Sequence, residues 1–386
     1  FKKRQNNKEM ERMTMSNLQT PFRYDFVGSF LRPEKLKKAR RQFNEGKIDA
    51  AALKKVEDEA ITELVSKIKE LGYHVITDGE FRRATWHLDF MWGFDGIGHT
   101  PTKTGLPFHG EAAMVDDTYI VGKIGLTGEH PFVDHFRFVK ALEDENTVAK
   151  QTIPAPAQFF EQLVMPMNIE DTRKIYPNDE ELIADLVAGY RKVIADLYAA
   201  GCRNIQLDDC TWGCFVDPKA RMFFGTDDAG LEKLQKEFLE INNLVIEGQP
   251  ENLVINTHIC RGNFHSTWAC TGAYDKIAEL VFGKENVNAL YLEFDDARSG
   301  GFECLKHASE DKKVVLGLIT TKSPKLEDKN AVIARIHEAA KYVPLDRLYL
   351  SPQCGFASCE IGNKLTVEEQ WAKLKLVKEI AEEVWG

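Results

Sequence analysis

Long apolar runs are missing from this sequence. The longest stretches are only a few residues, such as Val314–Leu316, broken by Gly317 before Leu318–Ile319, whereas a bilayer span needs about 20 apolar residues. No membrane segment is expected. Cysteine is sparse: eight in 386 residues are too few for a disulfide scaffold, and a chain this long buries enough surface to need none. A positive charge excess is missing too. Fifty basic against 60 acidic side chains leave a net charge of −10, which gives no global attraction to nucleic acid or to an anionic membrane. The opening FKKRQNNKEMERMTMS is basic and polar, without the apolar centre of a secretory signal. Residues 1–20 are expected to form a disordered tail, with Met13 or Met15 as candidate natural starts. The cysteines are then expected to be free thiols or metal ligands in a reducing cytoplasm. Internal repeats, low-complexity tracts and interdomain linkers are also absent.

What is present is ordinary for a soluble globular chain: 43% hydrophobic and 28% charged residues. Short β-rich runs alternate with amphipathic helices. The clearest helix is Glu180–Ala200, with Leu182, Ile183, Leu186, Val187, Tyr190, Val193, Ile194, Leu197 and Tyr198 on one stripe and Gly201 as its stop. Others span about Ala50–Leu71 and Leu231–Glu247, and a last one opens at Thr366 with the capping box Thr-Val-Glu-Glu. Eight strands are expected between them: Phe26–Phe30, His74–Thr77, Val148–Ile153, Asn204–Leu207, Leu253–Thr257, Ala289–Glu293, Val314–Leu318 and Arg347–Leu350. Eight apolar strands alternating with helices argue for an α/β fold, a (β/α)8 TIM barrel over residues 21–386. Residues 85–146 lack a long helix and are rich in glycine and aromatics. They are expected to form an insertion after the second strand, carrying a β-hairpin.

In such a barrel the chemistry sits at the carboxyl ends of the strands. The fifth strand ends in Asn256-Thr257-His258-Ile259-Cys260, the sixth in Leu292-Glu293, and the eighth leads into Ser351-Pro352-Gln353-Cys354. His258 and Cys260 are two apart and point to one side of an extended strand. With Glu293 and Cys354 they offer one nitrogen, two sulfurs and one oxygen, a donor set suited to Zn2+. Glu293 is the member that His265, Glu303, Asp295 or a water could replace.

Six motifs in order carry a resemblance to a known family: Phe26-Val27-Gly28-Ser29-Phe30, Asp78-Gly79-Glu80-Phe81, Ile205-Gln206-Leu207-Asp208-Asp209, Thr257-His258-Ile259-Cys260, Leu292-Glu293 and Cys354-Gly355. Over residues 20 to 386 the chain resembles the catalytic C-terminal barrel of the cobalamin-independent methionine synthases. The resemblance implies a zinc site at His258, Cys260, Glu293 and Cys354. It also implies methyl transfer to the thiol of homocysteine, giving methionine, and assigns Glu80 and Asp208 to the substrate ammonium. An ammonium needs carboxylates, and a substrate carboxylate needs N–H donors. Gly28 and Ser29 are the candidates for the second task. Glu293 is the ligand expected to yield to the incoming sulfur. The acidic pair Asp208-Asp209 has a second reading as a helix cap.

Other residues offer less. Cys210 and Cys214, four apart, could be a redox or metal pair, but without a second such pair they read as chance spacing; Cys202, Cys270, Cys304 and Cys359 read as packing. Trp86, His87, Trp92 and Phe94 could stack on a flat ring or fill the core. Lys37, Lys38, Arg40 and Arg41 could greet an anionic tail or cover a solvated helix face. Two departures from the family stand out. Its full-length members carry a second barrel, so a single-barrel short form is expected here. The family's proton-handling histidine before Ser-Pro is replaced by Lys322, a different acid that could donate if its pKa were lowered. The methyl donor is therefore open between 5-methyltetrahydrofolate, a methyl-corrinoid protein and a small methylated thiol or sulfonium. The partners expected are small molecules, with a possible homo-oligomer. The alternatives are a metal-independent lyase like uroporphyrinogen decarboxylase, which favours arginine clusters, or a non-catalytic zinc- or thiol-binding barrel.

Overall fold

The computed structural model describes residues 18–386. The tail expected over residues 1–20, with Met13 and Met15, lies outside these except for its last three residues. Thr20 is already buried, and its N–H donates to Asn204 Oδ1 at 2.8 Å.

Strand β1 is Val75–Ile76. An excursion follows, with β2 (Asp95–Thr100), β3 (Leu106–Phe108), β4 (Glu111–Ala113) and β5 (Asp117–Gly125). The main succession resumes with β6 (Val148–Ala149), β7 (Gln151–Pro154), β8 (Asn204–Asp208), β9 (Val254–Ile259), β10 (Ala289–Glu293), β11 (Lys313–Ile319) and β12 (Leu348–Pro352). Strands β7 to β12 form one parallel sheet in sequential order, and β1 pairs in parallel with β6, which continues into β7 past Lys150. Helices connect the strands, among them Asp179–Ala199, Asp228–Ile246, Asp275–Lys284 and Lys329–Ala339. This is the TIM-barrel class.

The first predicted strand, Phe26–Phe30, does not form. Tyr24 alone bridges Leu350 on β12, and Phe30 N–H donates to Gly79 C=O at 3.1 Å. The ladder is therefore not closed at this position. The physical reason is where the carbonyls go. Those of Phe26, Val27, Gly28 and Phe30 accept from Lys150 Nζ, Gln206 Nε2, Thr77 Oγ1 and the Arg32 guanidinium. Side chains satisfy the backbone that a neighbouring strand would otherwise pair.

The predicted helices hold within a residue or a few. Asp179–Ala199 starts behind Asn178, whose side chain accepts from Glu181 N–H, and buries Leu182, Leu186, Tyr190, Val193, Ile194 and Leu197. The capping box at Thr366 is present, with Thr366 and Glu369 each bonding the other's backbone.

The barrel strands are buried on both faces, and their inward residues alternate. Much of that interior is polar. Lys150 Nζ lies 3.2 Å from Asp25 and 2.9 Å from Gln206 Oε1, and Tyr291 donates to Asp25 at 3.1 Å. This satisfied network rises through Gln206 to Asp208 at the carboxyl end of β8.

The segment 85–146 holds two antiparallel ladders, β2 with β5 and β3 with β4. It also holds a 10-residue helix, Pro131–Lys140, that was not expected; its Phe132, Val133, Phe136 and Val139 supply the buried stripe. The β3–β4 tip folds over the barrel mouth. His109 N–H donates to Trp268 C=O at 2.7 Å, and Glu111 meets His265 and Lys364 at 2.8 and 2.7 Å.

Candidate metal and substrate site

Strand β9 brings His258 to the mouth, with Cys260 one step beyond its end, and the turn after β12 brings Cys354. Their ligand atoms all lie within 4.8 Å of one another, and all three residues are buried. Neither ring nitrogen of His258 has a hydrogen-bond partner. A buried imidazole left without partners costs free energy unless something else binds it. The neighbouring Cys210 thiol and burial push Cys260 well above the usual thiol range; Cys260 and burial do the same to Cys354. Both thiols are thus held in their protonated form unless a cation stabilises the thiolates. One nitrogen and two sulfurs at this spacing fit Zn2+, which would bind the sulfurs as thiolates.

Glu293 stands outside this set. Its Oε2 accepts from Arg261 N–H at 2.7 Å, and its Oε1 meets Arg298 at 3.0 Å and Lys322 at 3.3 Å. Burial alone would raise this carboxyl, but Lys322, Arg261 and Arg298 outweigh it and hold the pKa at about 2. The other candidates for a fourth ligand are also elsewhere among the described residues. Asp295 pairs with Lys322 at 2.9 Å and His265 with Glu111, and Glu303 opens a short helix and hydrogen-bonds Tyr342. Lys322 departs from the lowered pKa that a donating lysine needs. Burial lowers it, yet Glu293 and Asp295 prevail and raise it.

Glu80, Asp208 and Ser29 line the same cavity as the three donors. Glu80 holds a positive φ of 60°, a backbone strain of about 1–3 kcal/mol for a non-glycine residue. Asp78 Oδ1 takes its N–H at 2.8 Å and Arg32 binds its carbonyl at 2.7 Å, which fixes that geometry. Glu80 Oε1 accepts from Thr152 Oγ1 at 3.1 Å, and Oε2 has no partner. Burial pushes this carboxyl up to about 7, with Arg83 pulling down and Asp208 pushing up. Asp208 is raised to about 7 by burial against the Gln206 hydrogen bond and the charges of Arg83 and Lys150. Arg83 lies 3.4 Å from Glu80 Oε1, yet the nearby cations do not offset burial, so two carboxyls with raised pKa values face one cavity.

Gly28 lies beside these groups rather than on the cavity wall. A Cβ there would come within 2.7 Å of Thr152 Cγ2 and 3.6 Å of Glu80 Oε1, so glycine allows residues 26–30 to close on Glu80. A Cβ on Gly355 would collide with Ser29 Oγ. Asp209 serves as a cap: its Oδ1 accepts Thr211 N–H at 3.2 Å and its Oδ2 accepts from Asn242 at 2.9 Å. Of the aromatic patch, Trp86 lines the cavity and stacks on His87, whereas Phe94 packs in the core and Trp92 donates to Thr118. Arg40 is buried, bonding Glu57 and the carbonyls of Phe81 and Arg83.

Cys210 is the residue the sequence reading missed. Its Sγ lies 3.2 Å from Cys260 Sγ, and it lines the cavity. Register would have found it: Asp208 pairs with His258 across β8 and β9, so two residues on, Cys210 faces Cys260. Cys214 meets Cys270 at 3.3 Å rather than Cys210.

Comparison with known proteins follows the same lines. The profile of the family described as "Cobalamin-independent synthase, Catalytic domain" matches residues 168–383. The chain is 42% identical over 373 residues to uncharacterized protein YxjH of Bacillus subtilis, covering 96% of this chain and 97% of that one. It is 23% identical over 372 residues to a methionine synthase of Saccharolobus solfataricus, covering 93% and 94%. Among solved structures, the putative vitamin-B12 independent methionine synthase from Listeria monocytogenes superposes with a TM-score of 0.75 at 37% identity, covering 96% of this chain and 99% of that one.

Proposed function

Because this chain belongs to the cobalamin-independent methionine synthase family, whose role is methyl transfer, we propose that it is a zinc-dependent S-methyltransferase that converts homocysteine to methionine. The observation that carries this reading is the set His258, Cys260 and Cys354 within 4.8 Å, with both His258 nitrogens unpartnered, in one cavity with Glu80 and Asp208. Zinc held there would supply the Lewis acidity that keeps a substrate thiol ionised at neutral pH. The chain's own groups do the rest. Glu80 and Asp208 take the ammonium, whose charge favours their ionised forms. Ser29 and the backbone beside it receive the carboxylate. Glu293, held by Lys322, Arg298 and the Arg261 N–H, would be the exchangeable fourth ligand, with those cations neutralising its charge whenever it is not on the metal.

None of the residues lining this cavity is an arginine, which argues against the decarboxylase alternative. All eight cysteines are free, and a thiolate site needs reduced sulfur, so we place the activity in the cytoplasm. No helix among the described residues is long and apolar enough to cross a membrane. Metal analysis and calorimetry with homocysteine test the reading. Stoichiometric zinc and zinc-dependent homocysteine binding are expected; a purified protein that neither holds nor takes up zinc would sink it.

A further inference from the structure

A second chamber of about 350 Å³ adjoins the metal-donor cavity, and the two share Trp86, Cys210 and Asn263 on their walls. Most of its surface is apolar. Met165, Met167 and Met222 bring thioethers, and Trp86, Phe108 and Phe223 bring aromatic rings. One acid stands in this wall. Glu161 is 3% exposed, its Oε2 accepts from Gln158 Nε2 at 2.8 Å, and its Oε1 has no partner. No ion pair reaches it among the described residues. Burial pushes its carboxyl well above the ordinary range, and Asp209 and the Cys270 thiol add to this. The one arginine on the wall, Arg261, is committed elsewhere: its Nε and a terminal nitrogen donate to Gly272 C=O at 2.8 and 2.6 Å. His87, also on the wall, is held neutral by burial.

A buried acid without a cation, among aromatic rings and soft thioethers, complements a compact, weakly hydrated cation. We propose that this chamber takes the methyl donor, and that the donor is a methylated onium, a sulfonium or quaternary ammonium, matched by the Glu161 carboxylate. This rests on reading the adjoining cavity as the thiol acceptor site. On entry of the onium Glu161 gives its proton to solvent and becomes the counter-ion. The acceptor thiolate sulfur then forms the new S–CH3 bond. The donor's C–S or C–N bond breaks, and its electron pair returns to the donor heteroatom. At the reacting atoms one negative sulfur and one positive onium centre become two neutral heteroatoms, so the leaving heteroatom needs no proton. The placement of Lys322 agrees: it lies on the wall of neither cavity and is bound to Glu293 and Asp295. Once the donor is neutral, Glu161 takes up a proton again and no charge holds the product.

The test uses the zinc-loaded full chain with homocysteine and, separately, dimethylsulfonioacetate, glycine betaine and 5-methyltetrahydrofolate, each carrying a labelled methyl group. Labelled methionine is followed by mass spectrometry. At least a hundredfold faster methionine formation from one of the onium donors is expected, and the two onium arms tell sulfonium from ammonium. Faster transfer from the folate overturns the proposal and leaves the thiol site standing. So does transfer from none of the three while homocysteine still binds. Loss of homocysteine binding itself overturns the underlying reading as well. A binding measurement stands independently of turnover. Glycine betaine is expected to bind at least tenfold more tightly than its neutral-headed isostere 3,3-dimethylbutanoate, and Glu161→Gln to abolish that preference while zinc stoichiometry is kept. Equal binding of the two by the unmodified protein overturns the proposal without recourse to the variant.

Discussion

The two sides of the barrel mouth treat their carboxyls in opposite ways. On the β10–β11 side Glu293 is fully buried, yet Lys322, Arg261 and Arg298 hold it at about 2. On the β8 side Glu80 and Asp208 are just as buried and rise to about 7. Burial is common to all three, so the difference is the supply of cations. The first side is saturated and has no electrostatic need of a ligand. On the second, Arg83 and Lys150 do not offset burial, which suits that side to the ammonium of the proposed substrate. The same logic, one chamber further out, singles out Glu161.

The comparison is best broken by removing the donors on which both sides converge. Cys260→Ser or His258→Ala is expected to lose stoichiometric zinc and to lower methionine formation by at least about a thousandfold, roughly 4 kcal/mol, as read by metal analysis and turnover. Retained zinc with full turnover would mean that the metal is held elsewhere. Next in size is the saturated side. Lys322→Met leaves Asp295 and Glu293 short of a buried partner and is expected to cost about 3–5 kcal/mol of stability, seen as a lower denaturant midpoint. A neutral effect would show that the charges there are not coupled.

The charge-poor side is tested by binding. Glu80→Gln removes one partner of the substrate ammonium and is expected to weaken homocysteine binding by about a hundredfold, or about 2.7 kcal/mol, with zinc unchanged. The smallest effect is the pH dependence. The Glu80 and Asp208 carboxyls have raised pKa values near 7, so they are neutral below that pH and charged above it. Binding of methionine, which has no thiol to titrate, should therefore strengthen about tenfold from pH 6 to pH 8. In Glu80→Gln the slope should flatten. Glu293, held at about 2, stays ionised throughout and adds nothing to it. A flat profile in the unmodified protein would mean that the two sides do not differ.

Much of this was legible beforehand, and what failed did so for local reasons. Seven of the eight expected strands form because both faces of a buried parallel strand are apolar or inward-polar, a pattern carried by the residues themselves. The eighth, Phe26–Phe30, has the right composition. Its carbonyls are taken by Lys150, Gln206, Thr77 and Arg32, three of which lie 49 to 179 residues away. His258, Cys260 and Cys354 were readable because strand ends meet at one mouth. Cys210 was missed because the i, i+4 spacing to Cys214 was compared within one segment, whereas its neighbour lies across the β8–β9 register. Glu161 gave no signal at all: within the helix Pro156–Val164 it looks like any surface acid.

The chain's residue order by itself determined the alternation of strand and helix and the donor types gathered at the mouth. Periodicity, caps and strand-end position are short-range properties that each segment carries alone. Only the tertiary structure decided which carboxyls are ionised, which thiol faces which, and where the second chamber opens. Those depend on desolvation and on neighbours brought from distant segments, and free energies of that origin exist only once the barrel has closed water out.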